Sequence, residues 1–109
     1  MPRVTVFNLR KDDNLLDVEH AVRDALVGLP ELKINADEVD LVPVVAADGF
    51  HGVARIDVDL WERAERTKDA LQELATRVAR AFQDVVGRDR RVKVVIRPYD
   101  VGKSGWVSL

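Results

Sequence analysis

The sequence predicts an α/β (α+β) domain of two tandem βαβ units, with a four-stranded sheet and two helices on one of its faces. Residues 2–11 (PRVTVFNLRK) and 54–63 (ARIDVDLWER) share one pattern, in which Val or Ile alternates with polar residues before a closing basic residue. Residues 39–46 (VDLVPVVA) and 92–99 (VKVVIRPY) repeat a second strand-like run. Between the two strands of each unit lies an amphipathic helical pattern.

The two helices are predicted from apolar residues that recur at three- and four-residue steps. These stripes are Leu15, Val18, Val22, Ala25, Leu26 and Leu29 in the first unit, and Leu71, Leu74, Ala75, Val78, Phe82 and Val85 in the second. Asn14 and Thr67 are the predicted N-caps, because their side chains accept hydrogen bonds from free backbone N–H groups. Gly28 and Gly87 are predicted to end the helices.

All 109 residues are expected to form a single domain, with pseudo-repeats at 1–50 and 52–109. Arg3 matches Arg55 at a spacing of 52, and Val39 matches Val92 at a spacing of 53. A chain of this size can bury about two-thirds of the surface that its unfolded form exposes. The sequence therefore predicts a core that forms without disulfides or metals.

The second and fourth strands are apolar on both faces, at residues 41–45 and 94–96, which is typical of strands buried on both sides. Two helices cover only one face of a four-stranded sheet, so we expect another copy of the chain to cover the open face. Pro43 cannot donate a backbone hydrogen bond, and it is predicted to mark a bulge or a sheet edge.

Composition excludes several classes of function. The 17 Lys and Arg against 19 Asp and Glu leave a net charge of −2, which argues against a nucleic-acid or polybasic membrane surface. With no cysteine, the chain has no disulfide scaffold, cysteine-ligated zinc or cysteine nucleophile. Its two histidines lack metal-ligand spacing, so neither a metal nor a cofactor is predicted. It has no apolar run of about 20 residues, and the start enters a strand pattern directly, which predicts a cytoplasmic protein without a signal peptide.

Three short motifs carry a resemblance to a known family. Pro2 opens the first strand, residues 38–42 (EVDLV) precede a Gly- and Phe-containing turn at 47–52 (ADGFHG), and residues 102–106 (GKSGW) repeat that turn after the fourth strand. With these motifs the chain resembles the tautomerase superfamily, which includes 4-oxalocrotonate tautomerase and macrophage migration inhibitory factor. Residues 55–63 resemble, more narrowly, an uncharacterised bacterial branch of it.

The resemblance implies a homotrimer whose sheets face a central barrel, and a tautomerase or isomerase activity. Pro2 would be the catalytic general base in proton transfer on a small 2-oxo or enol acid. An amino-terminal amine titrates near pH 7.7–8.0, and burial or nearby cations increase its neutral fraction. This role requires that Met1 is removed, because the Pro2 nitrogen is otherwise an amide.

The resemblance also implies substrate-binding residues. Arg10 lies one or two positions from the family's carboxylate-binding arginine, with Lys11 as its substitute, and Phe50 matches a pocket phenylalanine. Arg97 and Trp106 would line the same pocket from a neighbouring subunit. Asp40 occupies the place of the family's second arginine and would repel a dicarboxylate, so the usual substrate is not expected.

Two alternatives remain open. The same element order occurs in ferredoxin-like modules, which would make the protein a non-catalytic small-molecule-binding domain that dimerises through its sheet. A second alternative keeps the tautomerase fold but adds water to an unsaturated acid, as hydratase- and dehalogenase-type lyases do, with Asp57, Asp59 or Glu62 directed at the pocket. Strand order distinguishes the ferredoxin-like arrangement, in which the two βαβ units interleave, from the other two.

Overall fold

The computed structural model describes residues 2–47, 52–105 and 107–109. The elements follow the predicted order, which confirms the two βαβ units. They are β1 (Arg3–Leu9), α1 (Leu15–Val27), β2 (Asp40–Val45), β3 (Ala54–Trp61), α2 (Lys68–Val86) and β4 (Val92–Tyr99). Short 3-10 turns at Pro30–Leu32, Ala36–Glu38 and Val101–Lys103 lie in the connections.

The four strands form one mixed sheet in the order β2-β1-β3-β4. Each unit contributes a parallel pair, β1 with β2 and β3 with β4. The units join at the centre of the sheet, where β1 and β3 are antiparallel. Because the units lie side by side and do not interleave, this order is not that of a ferredoxin-like module.

The core lies between the sheet and the two helices. It is formed by every second residue of β1 and β3 and by the predicted apolar stripe of each helix. The fully buried members include Val4, Val6, Ile56, Val58 and Leu60 from the strands and Val18, Val22, Leu26, Leu74, Val78 and Phe82 from the helices. In the part of the chain that the structure describes, neither helix has the length and apolar character needed to cross a membrane.

Both helices begin and end at the capping residues predicted from the sequence. The Asn14 side chain accepts a hydrogen bond from the Asp17 N–H at 3.1 Å. The Thr67 hydroxyl accepts one from the Ala70 N–H at 3.2 Å. Gly28 caps α1, and Gly87 caps α2 at a φ of 121°, a conformation that glycine adopts without strain.

An irregularity interrupts β1 before its last residue. The β1–β2 register shifts between Val6 and Leu9, and Asn8 within this gap has a positive φ of 61°. The Asn8 side-chain amide donates a 3.0 Å hydrogen bond to the Val53 carbonyl, which ties the bulge to the residue before β3. Pro43 pairs with Val6 at the edge of the sheet, as predicted, since β2 is an edge strand.

The face of the sheet opposite the helices is charged at its centre. Asp57 is only 7% exposed there, and its carboxylate accepts hydrogen bonds from Arg55 at 2.6 Å and Arg97 at 3.3 Å. On the edge strand β2, Val44 has the parity of Val42 on this face and is 39% exposed in the single chain. The single chain therefore leaves uncovered the face for which the sequence predicts a partner.

Candidate active site

Pro2 is fixed at the start of the sheet. Its side chain is buried, and its carbonyl accepts a 3.0 Å hydrogen bond from the N–H of Asp40, the first residue of β2. Because side chains alternate along a strand, Pro2 has the parity of Val4 and lies on the helix side of the sheet. The ring is therefore held in place by the sheet itself.

A cavity of about 370 Å³ opens beside Pro2. Three sequence segments meet there because β1 and β3 are antiparallel, which places the end of β3 next to the start of β1. The lining residues are Pro2, Lys33, Glu38, Trp61, Arg63 and Arg66. Three of these six side chains are basic and one is acidic, so the cavity has the charge that attracts an anion.

Arg66 connects two segments of the cavity wall, the loop after α1 and the end of β3. Its guanidinium donates to the Leu32 carbonyl at 3.1 and 3.2 Å and to the Trp61 carbonyl at 2.6 Å. Partial burial, followed by the positive charge of Arg63, lowers the pKa of Arg66 below its usual range. Since its donors are used on the backbone, Arg66 positions the loop after α1 against the end of β3.

Lys33 and Arg63 are the cations that a ligand can reach. Arg63 Nη1 lies 3.5 Å and Lys33 Nζ 3.9 Å from the same carboxylate oxygen of Glu65. The Glu65 backbone N–H, and then the charges of Lys33 and Arg63, hold the pKa of Glu65 below its ordinary value. Both ion pairs are long, and their basic side chains are 67% (Lys33) and 47% (Arg63) exposed. Ion pairs of this kind contribute little to stability. An incoming carboxylate can therefore compete with Glu65 for both cations.

No protein-family model matches the sequence, and no curated protein does so. Solved structures match along almost the whole chain. A fused 4-OT, described as a wild-type symmetric trimer, has a TM-score of 0.73 at 22% identity, over 95% of this chain and 90% of that one. Malonate semialdehyde decarboxylase FG41, inhibited by 3-bromopropiolate, has a TM-score of 0.63 at 17% identity, over 99% of this chain and 89% of that one. The chain has the tautomerase fold.

A domain of unknown function from Sebaldella termitidis has the same fold, with a TM-score of 0.59 at 20% identity over 97% of this chain and 95% of that one. Together these likenesses confirm the fold class, and the predicted resemblance to the tautomerase superfamily holds at the level of the fold. Among the residues that the structure describes, no group of three His, Asp or Glu side chains could hold a metal ion.

In this tautomerase fold, the other predicted site residues that the structure describes lie away from Pro2 within one chain. Arg10 and Lys11 follow the seven-residue strand β1, so they are about 25 Å along the sheet from its start. Arg97 lies on the open face, where its Nε donates to Asp59 at 2.9 Å, and this hydrogen bond raises the pKa of Arg97. Phe50 and Trp106 lie outside the described residues.

Sequence reasoning missed the three cations of the Pro2 cavity. One signal for Arg63 was present, because Arg63 closes the second repeat pattern at the position where Lys11 closes the first. Using that signal requires knowing that β1 and β3 are antiparallel. Lys33 and Arg66 had no comparable signal, since both lie in connecting segments that the repeat pattern does not include.

Proposed function

We propose that this protein catalyses proton transfer on a small 2-oxo or enol acid, with Pro2 as the general base. The observation that supports this proposal is the location of Pro2 in a cavity lined by Lys33, Arg63 and Arg66. The cations serve two purposes in such a site: they bind the substrate carboxylate, and they favour the neutral, basic form of a nearby amine.

The proposed reaction uses one group as base and acid. The lone pair of the Pro2 nitrogen takes a proton from the carbon next to the substrate carbonyl, and the C–H electrons move to form the enolate. The protonated amine then returns the proton to another carbon of the conjugated system, and the carbonyl re-forms. Removal of Met1 is required, because an amide nitrogen has no basic lone pair.

Arg63 is the proposed carboxylate-binding residue within the same chain, with Lys33 beside it. The planar guanidinium of arginine matches a carboxylate with two hydrogen bonds. Within one chain, Arg10 and Lys11 lie beyond the far end of β1, and Arg97 lies on the opposite face of the sheet from Pro2, so we propose that they join the Pro2 site from another copy of the chain. Their proposed roles therefore depend on assembly.

We also propose that the chain forms a homotrimer through the open face of its sheet. Two observations support this: the fused 4-OT neighbour is described as a trimer, and the open face of the single chain is uncovered. Asp57 is already almost buried there and is neutralised by Arg55 and Arg97. A partner can therefore cover the centre of the face without desolvating an unpaired carboxylate.

A hydratase- or lyase-type reaction is the second candidate, and Glu38 is the observation that favours it. Its carboxylate is the one acid that lines the described part of the Pro2 cavity, where it could orient a water molecule. The acids first considered for this role lie elsewhere: Asp57 and Asp59 pair with Arg97 on the open face, and Glu62 lines a groove between α2 and β4.

Mass spectrometry combined with an enol–keto assay on phenylpyruvate tests the main proposal. We expect Met1 to be absent from the natively expressed protein, and Pro2→Ala to lower kcat/KM about 100-fold or more. Material that retains Met1 serves as an inactive reference. Trimmed wild-type protein that is no faster than Pro2→Ala would disprove the role of Pro2. Loss of hydration, but not of enol–keto conversion, in Glu38→Gln would establish the second candidate beside the first.

A further inference from the structure

The two βαβ units are related by a pseudo-two-fold axis through the centre of the sheet. Thr5 and Asp57 face each other in the β1–β3 ladder, and they are also corresponding residues of the repeat at the spacing of 52. A pair of corresponding residues lies opposite each other only on such an axis. Every feature at the Pro2 end of the sheet therefore has a counterpart at the opposite end.

The counterpart of Pro2 is Ala54, which opens β3 as Pro2 precedes β1. Ala54 is buried like Pro2, but its nitrogen is a peptide amide inside the chain and cannot act as a base. Next to it, where β1 ends and β3 and β4 begin, lies a cavity of about 230 Å³. Its described lining is Arg10, Gly52, Val53, Asp89, Arg90 and Arg91.

One of the three arginines has a structural role. Arg90 is buried and donates to both carboxylate oxygens of Asp13, at 2.7 and 3.1 Å, and its carbonyl accepts from the Gln83 amide at 2.7 Å. Asp13 thus neutralises Arg90, and the pair forms a rigid base for the cavity. This leaves the charge of the cavity to Arg10, Arg91 and Asp89.

Arg10 and Arg91 are both exposed, and neither side chain forms an ion pair with the described residues. The Arg10 backbone N–H donates a 2.7 Å hydrogen bond to the Asp13 carboxylate, whereas the Arg10 guanidinium acts on that carboxylate only through its charge. The Asp13 carboxylate is already bonded to the Arg90 guanidinium. Among the described residues that line the cavity, Asp89 is the single acid, so the described arginines outnumber the described carboxylates there. Two guanidinium groups at one small cavity match the geometry of an oxyanion, which accepts paired hydrogen bonds.

We propose that this second cavity, between Arg10 and Arg91, binds a small oxyanion, either a carboxylate or a phosphate, without converting it. The duplicated fold would then carry one catalytic and one purely binding site at equivalent ends of the sheet. The inference does not depend on Pro2 chemistry, because within one chain its residues lie at the other end of the sheet. Arg10 also has the assembly-dependent role proposed above, so Arg91, which has no such role, is the residue that the test changes.

Amide chemical shifts measured by NMR during titration with inorganic phosphate, and separately with acetate, test the proposal. A titration with sodium chloride at matched ionic strength is the reference, because it shows the shift changes that arise from screening of charges by salt alone. We expect saturable shifts at Gly52, Val53 and Arg91 with a Kd of about 1–10 mM for at least one anion. Comparing the two titrations shows whether phosphate or carboxylate is preferred.

Two variants separate this cavity from the Pro2 site. Arg91→Ala should weaken anion binding at Gly52 and Val53 at least about fivefold, while phenylpyruvate turnover is retained. Arg63→Ala should leave those shifts unchanged. The proposal is overturned if both anions shift Gly52 and Val53 no more than chloride does, or if Arg91→Ala, with an otherwise native spectrum, binds as tightly as the wild type.

Discussion

Arg90 donates two hydrogen bonds to the carboxylate of Asp13, 77 positions earlier, and both side chains are more than nine-tenths buried. The pair joins the turn before β4 to the turn before α1, and so links the two βαβ units away from the sheet. The Arg90 guanidinium also lies 5.8 Å from the centre of the Phe82 ring, within the core. Removal of the Asp13 charge would leave the Arg90 guanidinium buried without an ionic partner, and removal of Arg90 would leave Asp13 with the Arg10 N–H as its hydrogen-bond donor.

Asp13→Asn should therefore lower the free energy of unfolding by about 3 kcal/mol near pH 7, measured by urea denaturation. Burial raises the pKa of Asp13, but the Arg90 hydrogen bonds, the Arg10 N–H and the charges of both arginines outweigh it, so the pKa lies below the ordinary 3.8. The contribution is then complete above pH 3.8 and is lost as the pH falls towards the folded-state pKa. A difference between wild type and variant that persists unchanged to the lowest measurable pH would contradict this account. Glu73→Gln, from an exposed pair on α2, is the control.

Arg63→Ala should lower kcat/KM for phenylpyruvate about tenfold or more, mainly through KM, because the proposed carboxylate contact is lost. Arg77→Ala removes an equally exposed arginine from the outer side of α2 and is expected to have no effect. Steady-state kinetics on the two variants measures the difference. Equal values for both would remove Arg63 from the site.

Arg66→Ala should lower the free energy of unfolding by about 1–3 kcal/mol, since the Leu32 and Trp61 carbonyls lose their donor. Thermal or urea unfolding measures the loss. Arg77→Ala again provides the comparison, because its pair with Glu73 is exposed and a pair of this kind contributes only about 0.5 kcal/mol. If the two variants lose the same stability, Arg66 has no positioning role.

Asn8→Val should destabilise the protein by about 1–2 kcal/mol, because a β-branched residue is strained at a φ of 61°. Asn8→Gly relieves that strain and loses only the hydrogen bond to the Val53 carbonyl, so it should be the more stable of the two. Urea unfolding of both variants measures and compares their free energies of unfolding. The opposite order of stability would show that the bulge does not persist in solution.

Val42→Glu should shift the assembly towards monomers, because Val42 pairs with Thr5 on the open face and a new carboxylate there would be buried between copies. Leu16→Glu introduces the same charge at an exposed position of α1, on the opposite side of the sheet. Sedimentation analysis should show trimers for wild type and Leu16→Glu. Trimers of undiminished stability in Val42→Glu would exclude the open face from the interface.

Much of the fold follows from patterns that are local in sequence. The alternation in β1 and β3 and the stripes of α1 and α2 specify which faces are buried, because only one register places all of these apolar residues together. Asn14, Thr67 and Gly87 set helix boundaries through hydrogen bonds and backbone conformations that involve neighbouring residues alone. These features could be predicted, and the structure confirms them.

The candidate site was predictable only in part. Pro2 was predicted as the general base from the family resemblance, and that role stays a prediction; the structure places Pro2 beside a cation-lined cavity. Lys33, Arg63 and Arg66 were not identified, since they come from two connections that are distant in sequence and together form no motif. By contrast, Arg10 looked suitable in sequence but lies at the other end of β1 within the chain.

By itself, the sequence determined that the protein is built from two similar βαβ halves with one helix-covered face, because hydrophobic periodicity is a local property. Only the tertiary structure decided which end of one half meets which end of the other. The antiparallel pairing of β1 with β3 places Arg63 beside Pro2 and Arg10 beside Val53, the residue before β3. That pairing arises because both halves pack on one core. Packing of this kind involves residues distant in sequence, so it cannot be predicted from any short segment.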